Sequence, residues 1–93
     1  ERDGEYLLRL YVAGNSRRCS RARKNLQHLC EEHLGKGYEL EIIDISEDPE
    51  AAERADIVAV PTLVKERPPP RRKVVGDLSR SEKVLTGLSI TME

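Results

Sequence analysis

Ninety-three residues make one small domain, long enough for a single core and too short for two. Sixteen Lys and Arg against seventeen Asp and Glu leave a net charge of −1, with 38% hydrophobic residues. That balance argues against a general nucleic-acid binder and against a disordered acidic tail, and no run approaches the roughly 18 apolar residues of a membrane span. The start, Glu1 to Tyr6, is polar and shows no signal peptide.

Residues 5–12, EYLLRLYV, read as a strand ended by Ala13-Gly14-Asn15. The run is almost continuously apolar, as expected of a strand covered on both faces. A helix follows from about Ser16 to Leu34. Cys19, Ala22, Leu26, Leu29, Cys30 and His33 recur at three- and four-residue steps. Asn15 or Ser16 caps its start, and Gly35 and Gly37 end it. Residues 38–45, YELEIIDI, alternate as a second strand. Strand, helix, strand is a βαβ unit, so the two strands are expected to be parallel.

The second half is less decided. Asp48-Pro49 looks like a cap with proline in the first turn, which predicts a short helix over 49–56. Ile57 to Val64 is apolar but broken by Pro61, which makes a central strand awkward. The Val60-Pro61-Thr62 segment is a candidate for a cis peptide. Pro68-Pro69-Pro70 reads as a stiff polyproline-like link, and 72–75 as a short strand. Ser79-Arg80-Ser81-Glu82 has capping-box spacing and opens a last helix carrying Val84, Leu85 and Leu88. The same segment also alternates with period two at Val84, Thr86, Leu88 and Ile90, so a buried strand fits it as well.

Strand, helix, strand, then Val-Pro-Thr and a strand pair is the order of a thioredoxin-like domain. Redox catalysis there needs Cys-x-x-Cys at the first helix start, where the dipole lowers a thiol pKa. This chain has Ser16-Arg17-Arg18-Cys19, with serine at the attacking position. Cys19 has basic neighbours but reads first as a small core-facing helix residue, and Cys30 reads as packing. The two lie about 16 Å apart along one helix, beyond the roughly 7 Å a disulfide allows, so reduced thiols and a cytoplasmic setting are expected. His28 and His33 are five apart and face different ways, so no metal site is expected. No glycine-rich phosphate loop is present. The acids from Glu47 to Asp56 read as a solvated face. Two basic groups stand out: Arg17, Arg21, Lys24 and His28 on one helical face, and Arg67, Arg71, Arg72 and Lys73 around the prolines. Their functional reading is a surface for an acidic protein partner.

Leu8-Arg9-Leu10-Tyr11-Val12-Ala13-Gly14-Asn15 resembles the opening strand and loop of the KaiB family of cyanobacterial circadian clock proteins. Val60-Pro61-Thr62-Leu63-Val64-Lys65, Pro68-Pro69-Pro70 and Arg72 are similar to its middle. Val75-Gly76-Asp77-Leu78-Ser79, Glu82-Lys83-Val84-Leu85 and Gly87-Leu88 are similar to its end. The resemblance runs over about residues 6–88, and it makes the chain one KaiB-like α/β domain over 1–93 with its core at about 6–90.

The resemblance implies a protein that is not an enzyme and carries no cofactor. It implies two folds that share the βαβ half: a ground state, βαββααβ, usually tetrameric, and a thioredoxin-like monomer, βαβαββα. The second binds the N-terminal ATPase ring of KaiC, captures KaiA and displaces the sensor kinase SasA. The resemblance favours the ground state as the stable form; the residue-by-residue reading favours the thioredoxin-like order. Partners implied are a KaiC-like ATPase and KaiA-like or SasA-like proteins, with a homodimer or homotetramer in the ground state. Residues implied in partner binding or fold switching are Tyr6, Asn15, Arg21, Asp56, Pro61, Arg71, Arg72 and Gly87.

The departures are Asp56, where the family's binding face carries a base, Ser89, where relatives carry an acid, a more basic 16–33, and an acidic C-terminal tail that is either missing or cut off. They point to a relative outside the core clock with a KaiC-like partner and a stress or signalling role. Alternatives are the KaiB-like sensor domain of a SasA-type kinase pathway and, further off, a thiol redox protein using Cys19.

Overall fold

The apolar runs resolve into seven elements in a computed structural model that describes residues 6–14, 16–35, 37–88 and 90. Their order is β1 (Tyr6–Val12), α1 (Arg17–His33), β2 (Tyr38–Asp44), α2 (Pro49–Ala55), β3 (Thr62–Arg67), β4 (Arg72–Val75) and α3 (Ser81–Gly87). This is βαβαββα, the thioredoxin-like order.

Four strands form one sheet in the order β2-β1-β3-β4. β1 and β2 run parallel, with Leu8 opposite Leu40 and Arg9 opposite Glu41. β3 runs antiparallel to β1, and β4 antiparallel to β3. β1 is central, which explains its nearly unbroken apolar sequence. Leu8, Leu10 and Val12 are fully buried in the main core with Leu26, Leu29 and Leu63. Tyr11 points to the other face, where a smaller core joins it to Val64 and to Ala51 and Ala55 of α2. Each leucine taken out of water in this way contributes about 1.5–3 kcal/mol.

Local signals explain most boundaries. Ser16 caps α1: its Oγ accepts from the Cys19 amide at 3.2 Å. Gly35 follows at φ +60°, which suits glycine at a helix C-terminus. α2 begins at Asp48-Pro49 as expected, though the Asp48 side chain makes no cap bond. It stops at Ala55, one residue early, because Asp56 adopts a left-handed conformation at φ 61°.

Pro61 does not interrupt the central strand. β3 starts at Thr62, the Val60–Pro61 bond is cis, and the Pro61 carbonyl accepts from the Gly76 amide at 2.9 Å. The proline run is not an extended link: it turns the chain between two antiparallel strands.

The last segment is a helix, which corrects the weight that the resemblance placed on the ground-state arrangement. A strand with period two would bury Val84, Thr86, Leu88 and Ile90 and turn Leu85 outward. In the structure Val84, Leu85 and Leu88 are at most 2% exposed, while Thr86 faces solvent. The helix wins because it buries Leu85 as well. The expected capping box is also corrected: Arg80, not Ser79, holds the cap position, and no side chain caps it. Ser79 instead donates its amide to the Asp77 carboxylate at 3.1 Å.

Candidate partner-binding surface

The loops after β1, before β3 and after β4 meet at one end of the sheet. Gly76 bonds to Pro61 there, and Asp77 ties the loop to α1. Asn25 donates to the Asp77 carbonyl at 2.7 Å, and Arg21 Nη1 lies 3.4 Å from its carboxylate. The Ser79 hydroxyl, the Ser79 amide and Arg21 hold the Asp77 carboxyl below its ordinary value. Asp44 is held low in the same manner, first by the Ser46 hydroxyl and then by the amides of Gly14 and Ser46. Along α1, Arg17, Arg21, Lys24 and His28 are exposed as one basic stripe.

Two of the expected surface cations do structural work. Arg71 Nη2 donates to the Ala55 carbonyl at 3.2 Å and Lys73 Nζ to the Asp56 carbonyl at 2.7 Å. These carbonyls end α2, where helix carbonyls lack intrahelical partners and cations are favoured. The Asp56 carboxylate lies 3.9 Å from Lys73, so its acid is balanced within the chain.

The candidate residues therefore fall in separate places. Pro61 and Arg21 belong to the loop end of the sheet, joined through Gly76 and Asp77. Asp56 and Arg71 meet at the C-terminus of α2. Arg72 stands opposite Lys65 on β4. Tyr6 lies at the other end of β1, where its amide donates to Gly37. Gly87 packs α3 on the sheet: a Cβ there would stand 2.8 Å from Val74 Cγ2. Asn15 lies outside the described residues.

Strand register creates a site that sequence order did not reveal. Arg9, opposite Glu41 on β2, donates Nε to it at 2.8 Å, and its Nη1 lies 3.5 Å from Glu66 on β3. Arg71 Nε holds the other Glu66 oxygen at 3.0 Å. The result is a chain of alternating charges across the second sheet face beside Tyr11. The period-two charges on β1 and β2 were the available signal, but pairing needed the register. Lys65, also unmarked in the sequence, is 1% exposed; burial, with Arg72 nearby, pushes its ammonium pKa down.

The thiols are poorly placed for chemistry. Cys19 is 1% exposed and Cys30 fully buried, and both are free. Burial pushes the Cys30 thiol up to about 12. A reactive cysteine needs an accessible thiolate. Among the described residues no cluster of His, Cys, Asp or Glu is arranged for a metal, and no helix is long and apolar enough to cross a membrane.

The fold and this helix terminus define a thioredoxin-like domain with serine in place of the first redox cysteine. It is similar to mitochondrial thioredoxin 3 from Saccharomyces cerevisiae, with a TM-score of 0.74 and 18% identity, covering 94% of this chain and 79% of that one. The N-terminal domain of Synechococcus elongatus SasA gives a TM-score of 0.74 and 19% identity, with coverages of 94% and 86%. Within this class the sequence is decisive: the KaiB domain model matches residues 9–90, and the chain belongs to the KaiB family. It is 48% identical over 87 residues to the circadian clock protein KaiB3 of Synechocystis sp., covering 94% of this chain and 85% of that protein.

Proposed function

We propose that this chain is a non-enzymatic KaiB-type regulator that binds a KaiC-type ATPase ring in the cytoplasm in its thioredoxin-like arrangement, within circadian or stress signalling. The observation that carries this reading is a thioredoxin-like fold, in a KaiB-family chain, whose redox position is Ser16 and whose Cys19 is sealed in the core. A thioredoxin-like scaffold whose remaining thiol at this position is buried is suited to binding a protein surface rather than to thiol exchange.

Fold switching is part of the proposal. Its support is the period-two pattern from Val84 to Ile90, which suits a strand, in a stretch whose first part, to Gly87, packs as α3. A partner that binds one arrangement better shifts the population toward it. A rare competent state lowers apparent affinity by its fraction. The ground state is proposed to be a homodimer or homotetramer. The proposed contact and switch residues are Tyr6, Asn15, Arg21, Asp56, Pro61, Arg71, Arg72 and Gly87, with KaiA-like or SasA-like proteins as further partners.

A second reading is favoured by the likeness to the SasA N-terminal domain: a module that stays thioredoxin-like. Size exclusion with the KaiC-like ATPase of the same genome, ring in its ADP state, separates them. Co-elution growing over minutes to hours supports the switching regulator. Immediate co-elution supports the permanent thioredoxin-like module. No complex with either nucleotide refutes both.

A further inference from the structure

The second sheet face is only half covered. α2 has seven residues and lies over Tyr11 and Val64, leaving a groove of about 480 Å³ beside it. That volume falls within the range of about 300–1,000 Å³ typical of small-ligand sites. Its floor is Tyr11 and Ile43, and its walls carry three guanidiniums, Arg9, Arg54 and Arg71, with the carboxylates Glu41 and Glu66.

Tyr11 is 3% exposed, yet its hydroxyl makes no hydrogen bond among the described residues and is not sealed off from the groove. A buried phenol usually finds a partner. The guanidiniums beside it are already held in place. Arg9 is fixed by Glu41 and Glu66, and Arg71 by Glu66 and the Ala55 carbonyl. Arg54 at the rim is held by Asp48 at 3.3 Å and Glu50 at 3.7 Å on its own turn of chain. Arg71 uses Nε and Nη2 in these bonds, which leaves its Nη1 as a donor; a guanidinium has five N–H groups. Glu41 and Glu66 are each engaged by arginine and Arg54 by Asp48 and Glu50, so every guanidinium here already has a carboxylate partner, and the donor directed to a ligand is Arg71 Nη1.

We propose that this groove binds a small oxyanion, a carboxylate or a phosphate, through Arg71, Arg54 and the Tyr11 hydroxyl. Donors fixed before binding lose little freedom on binding, which favours such a ligand over water. The site lies on the sheet face opposite α1 and α3 and does not depend on the proposed ATPase partner.

The test is a titration of the full chain with inorganic phosphate in one arm and acetate in the other, followed by ¹H–¹⁵N spectra that include the arginine Nε–H signals. Shifts confined to Arg9, Tyr11, Arg54 and Arg71 are expected, with millimolar saturation. Response to phosphate alone assigns a phosphate, and response to both assigns any oxyanion. Tyr11→Phe removes a hydroxyl that has no hydrogen-bond partner among the described residues, so the circular dichroism spectrum stays unchanged while affinity falls roughly tenfold. Arg54→Gln, at an exposed rim position, weakens binding as well. Absence of saturable shifts in both arms overturns the proposal. So do shifts centred on Arg17 and Lys24 of α1, or an unchanged affinity in Tyr11→Phe.

Discussion

Leu78 is set in a conflict whose outcome can be measured. Its φ is +63°, in the left-handed region, and its side chain is 5% exposed within the main core. A left-handed backbone costs an L-residue about 1–2 kcal/mol, so burial of the side chain has to outweigh it. Leu78→Ala loses that burial and keeps the backbone cost; core truncations of this kind lose about 2–5 kcal/mol. Leu78→Gly loses the same packing but sheds the left-handed cost, returning about 0.4–1 kcal/mol to the greater freedom of glycine when unfolded. The glycine variant is therefore expected to be the more stable of the two, by about 0.5–1 kcal/mol. At an ordinary helical or extended position the order is reversed, since glycine there is worse than alanine by a similar amount. Urea unfolding at 25 °C, followed by circular dichroism with a shared m-value, measures the difference. For a domain this size it corresponds to a few degrees in Tm. If Leu78→Ala matches or exceeds Leu78→Gly, the left-handed turn at Asp77-Leu78 is not the solution conformation and the reasoning fails.

Three further outcomes are expected. Gly87→Val forces side-chain atoms against Val74 Cγ2, where a Cβ alone stands at 2.8 Å, and destabilises the βαβαββα arrangement by about 1–3 kcal/mol; adding Val74→Ala restores part of the loss, and strictly additive effects would show that the two do not touch. Asp44 and Asp77 have folded pKa values below their unfolded ones, so their contribution is present above the ordinary carboxylate range and disappears as pH falls through the folded values. Stability should thus begin to drop below about pH 4, and Asp44→Asn combined with Asp77→Asn should flatten that slope in urea titrations. Both thiols should resist a disulfide reagent in the native protein and react fully in urea; rapid native labelling of Cys19 would revive the redox reading.

Much of the fold was legible because it is written in local patterns. The first βαβ unit follows from an apolar strand, a three-four periodic helix with Ser16 as its cap, and an alternating second strand; its limits were anticipated to within a residue or two. The start of α2 at Pro49 was readable from a dipeptide, and Val60-Pro61-Thr62 was a candidate for the cis bond found there. The family was readable from motifs spread along the chain.

Other features depend on contacts between distant residues. Arg71 was marked as a surface cation; it is exposed and in addition holds the end of α2, because the hairpin returns it to the Ala55 carbonyl. Arg9, Glu41 and Glu66 form their charge chain only after three strands align, and Tyr11 lines a groove only because the seven-residue α2 covers part of that sheet face. The segment from Val84 to Ile90 shows the division most clearly. By itself the sequence determined that this stretch is amphipathic, and its spacing suits both a helix and a strand. Tertiary packing decided between them: the helix places Leu85 in the core beside Val84 and Leu88, and a strand would turn it toward water.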